Sequence, residues 1–322
     1  MMNRIATDEK TDTKGLRLVT GMPRSGTTWL ASMLDAGGQT VYINEPTNPA
    51  RPPGQSPGVL RATIRGRYQY VCTDNEDEFA AAYADIARLK YHLVDELRAN
   101  RGPLDLALAG RYIANYAKGR LKKRLALIAD PFAVFNASWF SSSLGAPVVV
   151  TVRHPAATVS SRKRLGRRVI SQDFLSQPLL MRDYLEPYRA ELENLSGDII
   201  AQGALLWKMV YGSVYTQASA DPSIKIVRHE DLSREPIREF EHLFAHFGLQ
   251  YNTRARRAIE RSTSAKNPAE LSLKDAYKTR VNSKQNVTAW HRRLTEQEVR
   301  VIRDVTAPIS DLFYTEDDWV LS

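Results

Sequence analysis

Cysteine is nearly absent from this sequence, with Cys72 alone in 322 residues. One thiol closes no internal disulfide and builds no thiolate metal cluster, which excludes disulfide scaffolds and structural zinc and suits a reducing compartment. Long apolar runs are missing too. The longest, such as Ala146 to Val150, fall far short of the roughly 20 residues that span a bilayer. Met1 to Gly15 is polar and of mixed charge (Arg4, Asp8, Glu9, Lys10, Asp12, Lys14), without the apolar stretch of a secretory signal. A cytoplasmic protein without a transmembrane segment is therefore expected. Neither an internal repeat nor a low-complexity tract occurs. Acidic residues are in deficit: 45 Lys+Arg stand against 36 Asp+Glu, a formal net charge of +9. That excess favours anionic partners such as nucleotides, nucleic acid, sulfated or phosphorylated molecules, or a membrane surface, without choosing among them. The 43% hydrophobic and 25% charged content is that of an ordinary globular protein with ample chain for a core.

Strand and helix signals alternate. Gly15 to Gly21 is a short β-prone run ending in glycine, and a helical pattern follows from Trp29 to Leu34. Val41 to Ile43 is a second strand, leading to Asn44-Glu45-Pro46 and an irregular loop from Pro46 to Gly58 that holds five of the 16 prolines. Thr73-x-x-Glu76 has the form of a capping box ahead of a helix over Phe79–Leu97, and a second helix is expected over Arg111–Lys123. Strands at Leu125–Ile128, Val148–Val152 and Ile224–Val227 are separated by helices at Ala133–Leu144, Pro155–Leu165 and Asp198–Ala218. A helix at Ile237–Phe247 and a capping box at Thr295-x-x-Glu298 complete the pattern. Such alternation predicts an α/β protein, a three-layer fold with a central parallel sheet flanked by helices and with helical insertions, its sites at the carboxyl ends of the strands. The expected organisation is a flexible N-terminus over 1–14 and one domain over 15–322.

The first strand end carries Gly21-x-x-x-x-Gly26-Thr27-Thr28, the strand, loop and helix setting of a P-loop, where backbone N–H groups and a helix N-terminus face an anion. The usual lysine is missing. Thr27 occupies its place and a cation stands instead at Arg24, so the loop suits an anion without the usual nucleotide–Mg²⁺ arrangement, and no metal site is expected.

Pro23-Arg24-Ser25-Gly26-Thr27-Thr28-Trp29-Leu30 resembles the 5′-phosphosulfate loop of sulfotransferases that use 3′-phosphoadenosine 5′-phosphosulfate (PAPS). Val148 to Val152 followed by Arg153-His154-Pro155 and continuing to Ser161-Arg162 is similar to that family's 3′-phosphate motif, an Arg at a strand end and a Ser eight residues on. The spacing is physically sensible: Ser161 falls about two turns into the following helix, and a guanidinium fork suits a phosphate. The resemblance implies cofactor contacts from Arg24, Ser25, Gly26, Thr27, Thr28, Trp29, Arg153 and Ser161. Ile226 to Leu232 looks like the family's strand ending in aromatic-Glu-Asp-Leu, with His229 at the aromatic place, and Ser283-Lys284-Gln285 followed by Trp290 resembles the loop that closes over the 3′-phosphate. His229 and Lys284 are implied cofactor contacts on that basis. The similarity runs from Leu16 to about Ile302 and is specific at the two phosphate motifs.

Sulfuryl transfer to a hydroxyl needs an anion cradle, a cation on the leaving oxygen and a base near the acceptor proton. Arg24 is the natural cation. Glu45 follows the second strand, expected beside the first, and Glu45-Pro46 looks like the catalytic Glu of carbohydrate and tyrosylprotein sulfotransferases. Phenol and steroid relatives use a histidine, for which His92 is the nearest candidate by position. One departure stands out: Ala129-Asp130-Pro131 has alanine where many relatives carry a basic residue, leaving Arg24 alone or helped by Lys90, Arg162 or Lys208. Basic stretches at Arg120–Arg124, Arg162–Arg168 and Arg254–Arg257 lack the interleaved aromatics of a nucleic-acid surface. The expected activity is metal-free, in-line sulfuryl transfer from PAPS to a hydroxyl acceptor, a glycan, a glycolipid or a related metabolite. A P-loop small-molecule kinase and a non-enzymatic polyanion binder are the alternatives.

Overall fold

The computed structural model describes residues 13–50, 57–268 and 282–320. Five parallel strands, β1 (Leu16–Gly21), β2 (Thr40–Asn44), β3 (Leu125–Ala129), β4 (Val148–Val152) and β5 (Ile224–Arg228), form one sheet in the order β2-β3-β1-β4-β5. All five were legible as β-prone runs. Their side chains alternate between two apolar cores. Val19, Leu127 and Val149 pack under α1 (Thr27–Asp35), while Leu18, Ile128 and Val150 face the aromatic-rich opposite side. Both faces are thus covered, as a parallel sheet requires.

The strand order corrects one expectation. β2 pairs with β3, Asn44 opposite Ala129, and β3 lies between β2 and β1. Glu45 is therefore not on the strand next to the anion loop; the Asp130 strand end separates them.

A second correction concerns the helix expected over Phe79–Leu97. It is two helices, α2 (Asp77–Ala87) and α3 (Leu93–Ala99). The chain breaks at Leu89, which is buried and left-handed (φ 51°), with the amides of Leu89 and Lys90 turning back to Ile86 O (2.8 Å) and Asp85 O (2.9 Å). Burying Leu89 outweighs helical continuity. The Thr73 capping box does not form, because Glu76 accepts a bond from Trp139 Nε1 at 2.6 Å instead. Next, α4 (Pro103–Leu121) begins eight residues before the expected start, with proline in its first turn and Asp105 accepting from the Gly102 amide at 3.1 Å.

After β3, a 3₁₀ segment over Pro131–Asn136 precedes α5 (Ala137–Ser142). α6 (Pro155–Arg164) follows β4, and α7 (Ile199–Ala220) runs beneath the sheet, capped by Asp198. α8 (His229–Arg234) and α9 (Pro236–His246) follow β5, then α10 (Thr253–Ser262), α11 (Ser283–Val287) and α12 (Glu296–Thr306). The capping box at Thr295 and Glu298 forms as expected, through bonds of 3.2 and 2.9 Å. At the start of the chain, residues 1–12 of the expected flexible segment lie outside the described residues, whereas Thr13 is buried against Leu144 O. Residues 51–56 of the proline-rich loop also lie outside them. No described helix is long and apolar enough to cross a membrane.

Candidate active site at the strand ends

Every strand delivers a polar group at its carboxyl end. Across the sheet these are Glu45 after β2, Asp130 after β3, the Gly21–Gly26 loop after β1, Arg153 after β4 and His229 after β5.

The loop is built on two obligatory glycines. Gly21 has φ 144°, and a Cβ there would lie 2.5 Å from Thr151 O; Gly26 has φ 106°, and a Cβ would lie 2.6 Å from His229 Nδ1. Between them Arg24 is also left-handed (φ 82°), an uncommon state for a side chain of that size. No side chain caps α1. The first-turn amides of Thr27, Thr28 and Trp29 have no acceptor within the helix, and their partial positive charge is available to an anion. Ser25 is used inward: its hydroxyl sits 2.6 Å from Thr151 Oγ1 and its amide donates to Met22 O at 3.0 Å. Thr27 is buried and Thr28 exposed. Trp29 is anchored by Nε1 donating to Ser262 Oγ at 2.8 Å and meets His229 edge-on at 5.4 Å.

The two motifs converge. Arg24 Nε donates to Ser161 Oγ at 3.1 Å, and Arg153 Nη1 donates to Arg24 O at 3.2 Å. Arg153 also reaches Asn286 O, at 3.4 Å, which brings α11 over the same point, while its Nε has no partner. Burial pushes its guanidinium down to about 10, against the opposing pull of Glu230, so it stays charged at neutral pH. His229 is buried with both ring nitrogens unpartnered, and burial beside Arg153 holds it well below the ordinary histidine value; it is neutral. Glu230 accepts from the His154 amide and from Tyr314 Oη, both at 3.0 Å, and this fixes the β4 and β5 ends to each other. Lys284 is exposed on α11, one residue after Ser283, whose hydroxyl donates to Ser233 O at 3.1 Å.

At the other side, Glu45 is left-handed (φ 45°), its amide donates to Ala129 O at 2.8 Å, and its Oε2 accepts from Asn48 Nδ2 at 2.7 Å. Burial raises its pKa, partly offset by that bond. Asp130 is fully buried. It accepts from Thr47 N (2.9 Å), Thr47 Oγ1 (2.6 Å) and Phe132 N (2.9 Å). Burial pushes it up to about 7 despite those bonds, and the Glu45 charge adds to the rise.

The other candidates are engaged elsewhere. His92 and Lys90 both lie 3.1 Å from Asp85, Lys208 sits over the Tyr188 ring at 5.9 Å, and Arg162 donates to the carbonyls of Arg167 and Arg168. Within the loop itself the cation is Arg24. The sequence reading missed a support on α7: Trp207 Nε1 donates to Arg153 O at 2.9 Å, and Tyr211 Oη donates to Thr151 O at 2.9 Å and lies 3.4 Å from the Met22 amide. These aromatics are spaced four apart on one helix face, a pattern that ordinarily marks plain core packing. No group of three or more potential metal ligands occurs among the described residues.

Such an arrangement can hold two anionic groups, one at the α1 N-terminus and one between Arg153 and Ser161, with carboxylates set to one side. Residues 18–253 match the Sulfotransferase family. The chain belongs to that family. It is thus an enzyme of sulfuryl transfer, and its central parallel sheet flanked by helices is the P-loop-type fold expected of it. Among solved structures, this sulfotransferase is similar to the sulfotransferase domain of the Synechococcus PCC 7002 olefin synthase (16% identity, TM-score 0.47, 93% of this chain and 94% of that one). It is also similar to the sulfotransferase domain of the curacin biosynthetic pathway (13%, 0.46, 90% and 96%). A mouse sulfotransferase complexed with PAP is comparable (12%, 0.43, 96% and 90%). No curated protein sequence matches significantly.

Proposed function

We propose that this sulfotransferase carries the sulfuryl group of PAPS to a hydroxyl on a glycan, glycolipid or related metabolite. The observation that carries this reading is the meeting of Arg24, Ser161 and Arg153 within hydrogen-bond reach. The residues present fit such a donor. Arg153 Nε and both His229 nitrogens are buried polar atoms without partners, and Gly26 leaves open the space beside His229 that a methyl group would fill. Buried polar atoms of this kind call for a ligand to satisfy them.

In this reading the N–H groups of Thr27, Thr28 and Trp29, with the Thr28 hydroxyl, hold the 5′ anion. Arg153 and Ser161 hold the 3′-phosphate, and Lys284 and His229 border it. Bound PAPS supplies the sulfuryl group and a stable bisphosphate leaving group. Arg24 offsets the charge that grows on the bridging oxygen, a task suited to a fixed cation in a site partly shielded from water. Asn48 fixes Oε2 of Glu45, leaving Oε1 to take the acceptor's proton, and the raised pKa of that carboxylate makes it a better base near neutral pH. By analogy with phosphoryl transfer, positioning and charge stabilisation supply most of the rate. A cytoplasmic setting is supported by the single thiol.

Calorimetry tests the donor. 3′,5′-Bisphosphoadenosine (PAP) binds without added metal and far more tightly than AMP, and Arg153→Ala abolishes the difference. Equal affinity for AMP overturns the reading.

A further inference from the structure

Arg162 follows Ser161 directly, yet its side chain serves none of the groups described above. Its side chain is buried, with 6% of the residue exposed. Among the described residues no carboxylate lies within ion-pair distance of it. Nη2 donates to Arg167 O (3.0 Å) and Arg168 O (3.3 Å), whereas Nε is buried without a partner and Nη1 makes no hydrogen bond. Two carbonyls offset only part of a full charge, and a buried guanidinium without a counter-ion is costly. The cations Arg67 and Arg167 oppose its charge, and Tyr68, which favours that charge, is itself kept protonated by burial. The nearby carboxylate, Asp173, is held by Arg67 at 3.6 Å.

Tyr68 is an aromatic residue in the left-handed region (φ 56°), a conformation that persists only where the surroundings impose it. Its ring stacks on Phe174 at 5.2 Å and meets Phe132 edge-on at 5.5 Å. The Phe132 amide donates to Asp130, and Asp130 holds Thr47, two residues past Glu45. Arg162 thus adjoins the anion loop through Ser161 and Arg24, and Tyr68 adjoins the Glu45 turn through Phe132 and Asp130.

We propose that Arg162, with Tyr68 beside it, receives an anionic group of the acceptor, a carboxylate or sulfate, so that the enzyme acts on acidic hydroxyl compounds. This rests on the sulfuryl-transfer reading and adds the acceptor's charge to it. The probe is PAP-loaded protein titrated with 4-nitrophenyl β-D-glucuronide and, separately, with 4-nitrophenyl β-D-glucoside, which differ by the carboxylate. The glucuronide binds at least tenfold more tightly, and the preference shrinks as salt is raised. Arg162→Gln removes the preference with PAP affinity retained, and Arg162→Lys keeps part of it. Equal affinities in the wild type, no glucuronide binding at millimolar concentration, or a preference that survives in Arg162→Gln overturns the proposal. The wild-type comparison stands even if the glutamine variant does not fold. PAP binding is measured first: its absence counts against sulfuryl transfer itself, whereas PAP binding without a glucuronide preference counts against Arg162 alone.

Discussion

Arg153 and Glu45 are both partly shut off from water, and burial acts on them in opposite ways. A buried arginine remains a cation and waits for an anion; a buried carboxylate leans toward its neutral form and becomes a stronger base. Arg153→Ala leaves Asn286 O and Arg24 O without their donor and removes the guanidinium fork, so PAP affinity falls by roughly tenfold to several hundredfold, as for other buried charged contacts. Titration calorimetry reads this directly. Glu45→Gln keeps the shape and the Asn48 contact but cannot accept a proton. Turnover then drops by roughly 10²–10⁴ with PAP affinity unchanged, the usual weight of general base catalysis. Undiminished single-turnover rates in this variant would remove Glu45 as the base. The sign of its pKa shift adds a pH signature: the acid limb of the wild-type rate profile lies above the ordinary glutamate value, because Glu45 protonates earlier as pH falls.

Elements explain why these residues are where they are, and also what the sequence concealed. The Gly21–Gly26 loop and the Arg153–Ser161 spacing were legible because each depends on local chemistry: glycine at positive φ, and a side chain two turns along a helix. Asp130 and the α7 brace were not legible, since their partners lie far along the chain. Asp130 reaches Thr47 across 83 residues, and Tyr211 reaches Thr151 across 60. The neighbour of β2 was misjudged for a similar reason, because strand order is settled by packing that no local pattern records. The helix break at Leu89 likewise depends on a tertiary contact, with the His92 amide donating to Gly58 O at 2.7 Å. As for the brace, Tyr211→Phe removes the bond to Thr151 O while keeping the ring. Stability falls by about 1 kcal/mol, and PAP binding weakens because the β1 loop loses its floor. Chemical denaturation monitored by tryptophan fluorescence measures the first effect. A variant as stable as the parent with unaltered PAP affinity would mean that α7 only fills space.

The whole molecule carries a net charge of +9, yet the site's behaviour with pH is governed by buried groups that pull in opposite directions. His154 and His229 have depressed pKa values, about 3 for His154, so the fold holds them neutral and loses stability once the unfolded chain can protonate them below about 6.5. Asp130 acts in the reverse sense. Its folded pKa of about 7 lies above the ordinary aspartate value of about 4, so its contribution to stability is fully present below about 4 and is lost as pH rises toward 7. Glu45 and Glu230, both raised by burial, add to that second slope. Asp130→Asn separates the terms. Asparagine can still accept from one of the two amides but presents an NH₂ where Thr47 donates, so the variant is less stable by roughly 1–3 kcal/mol at acid pH. It also has no charge to bury, and the loss between pH 5 and pH 8 that the parent suffers on ionising Asp130 is absent from it. Urea unfolding at those two pH values should therefore show the gap between parent and variant narrowing as pH rises. A gap that stays constant, or widens, would mean that Asp130 is already ionised at pH 5 and that its three hydrogen bonds outweigh its burial.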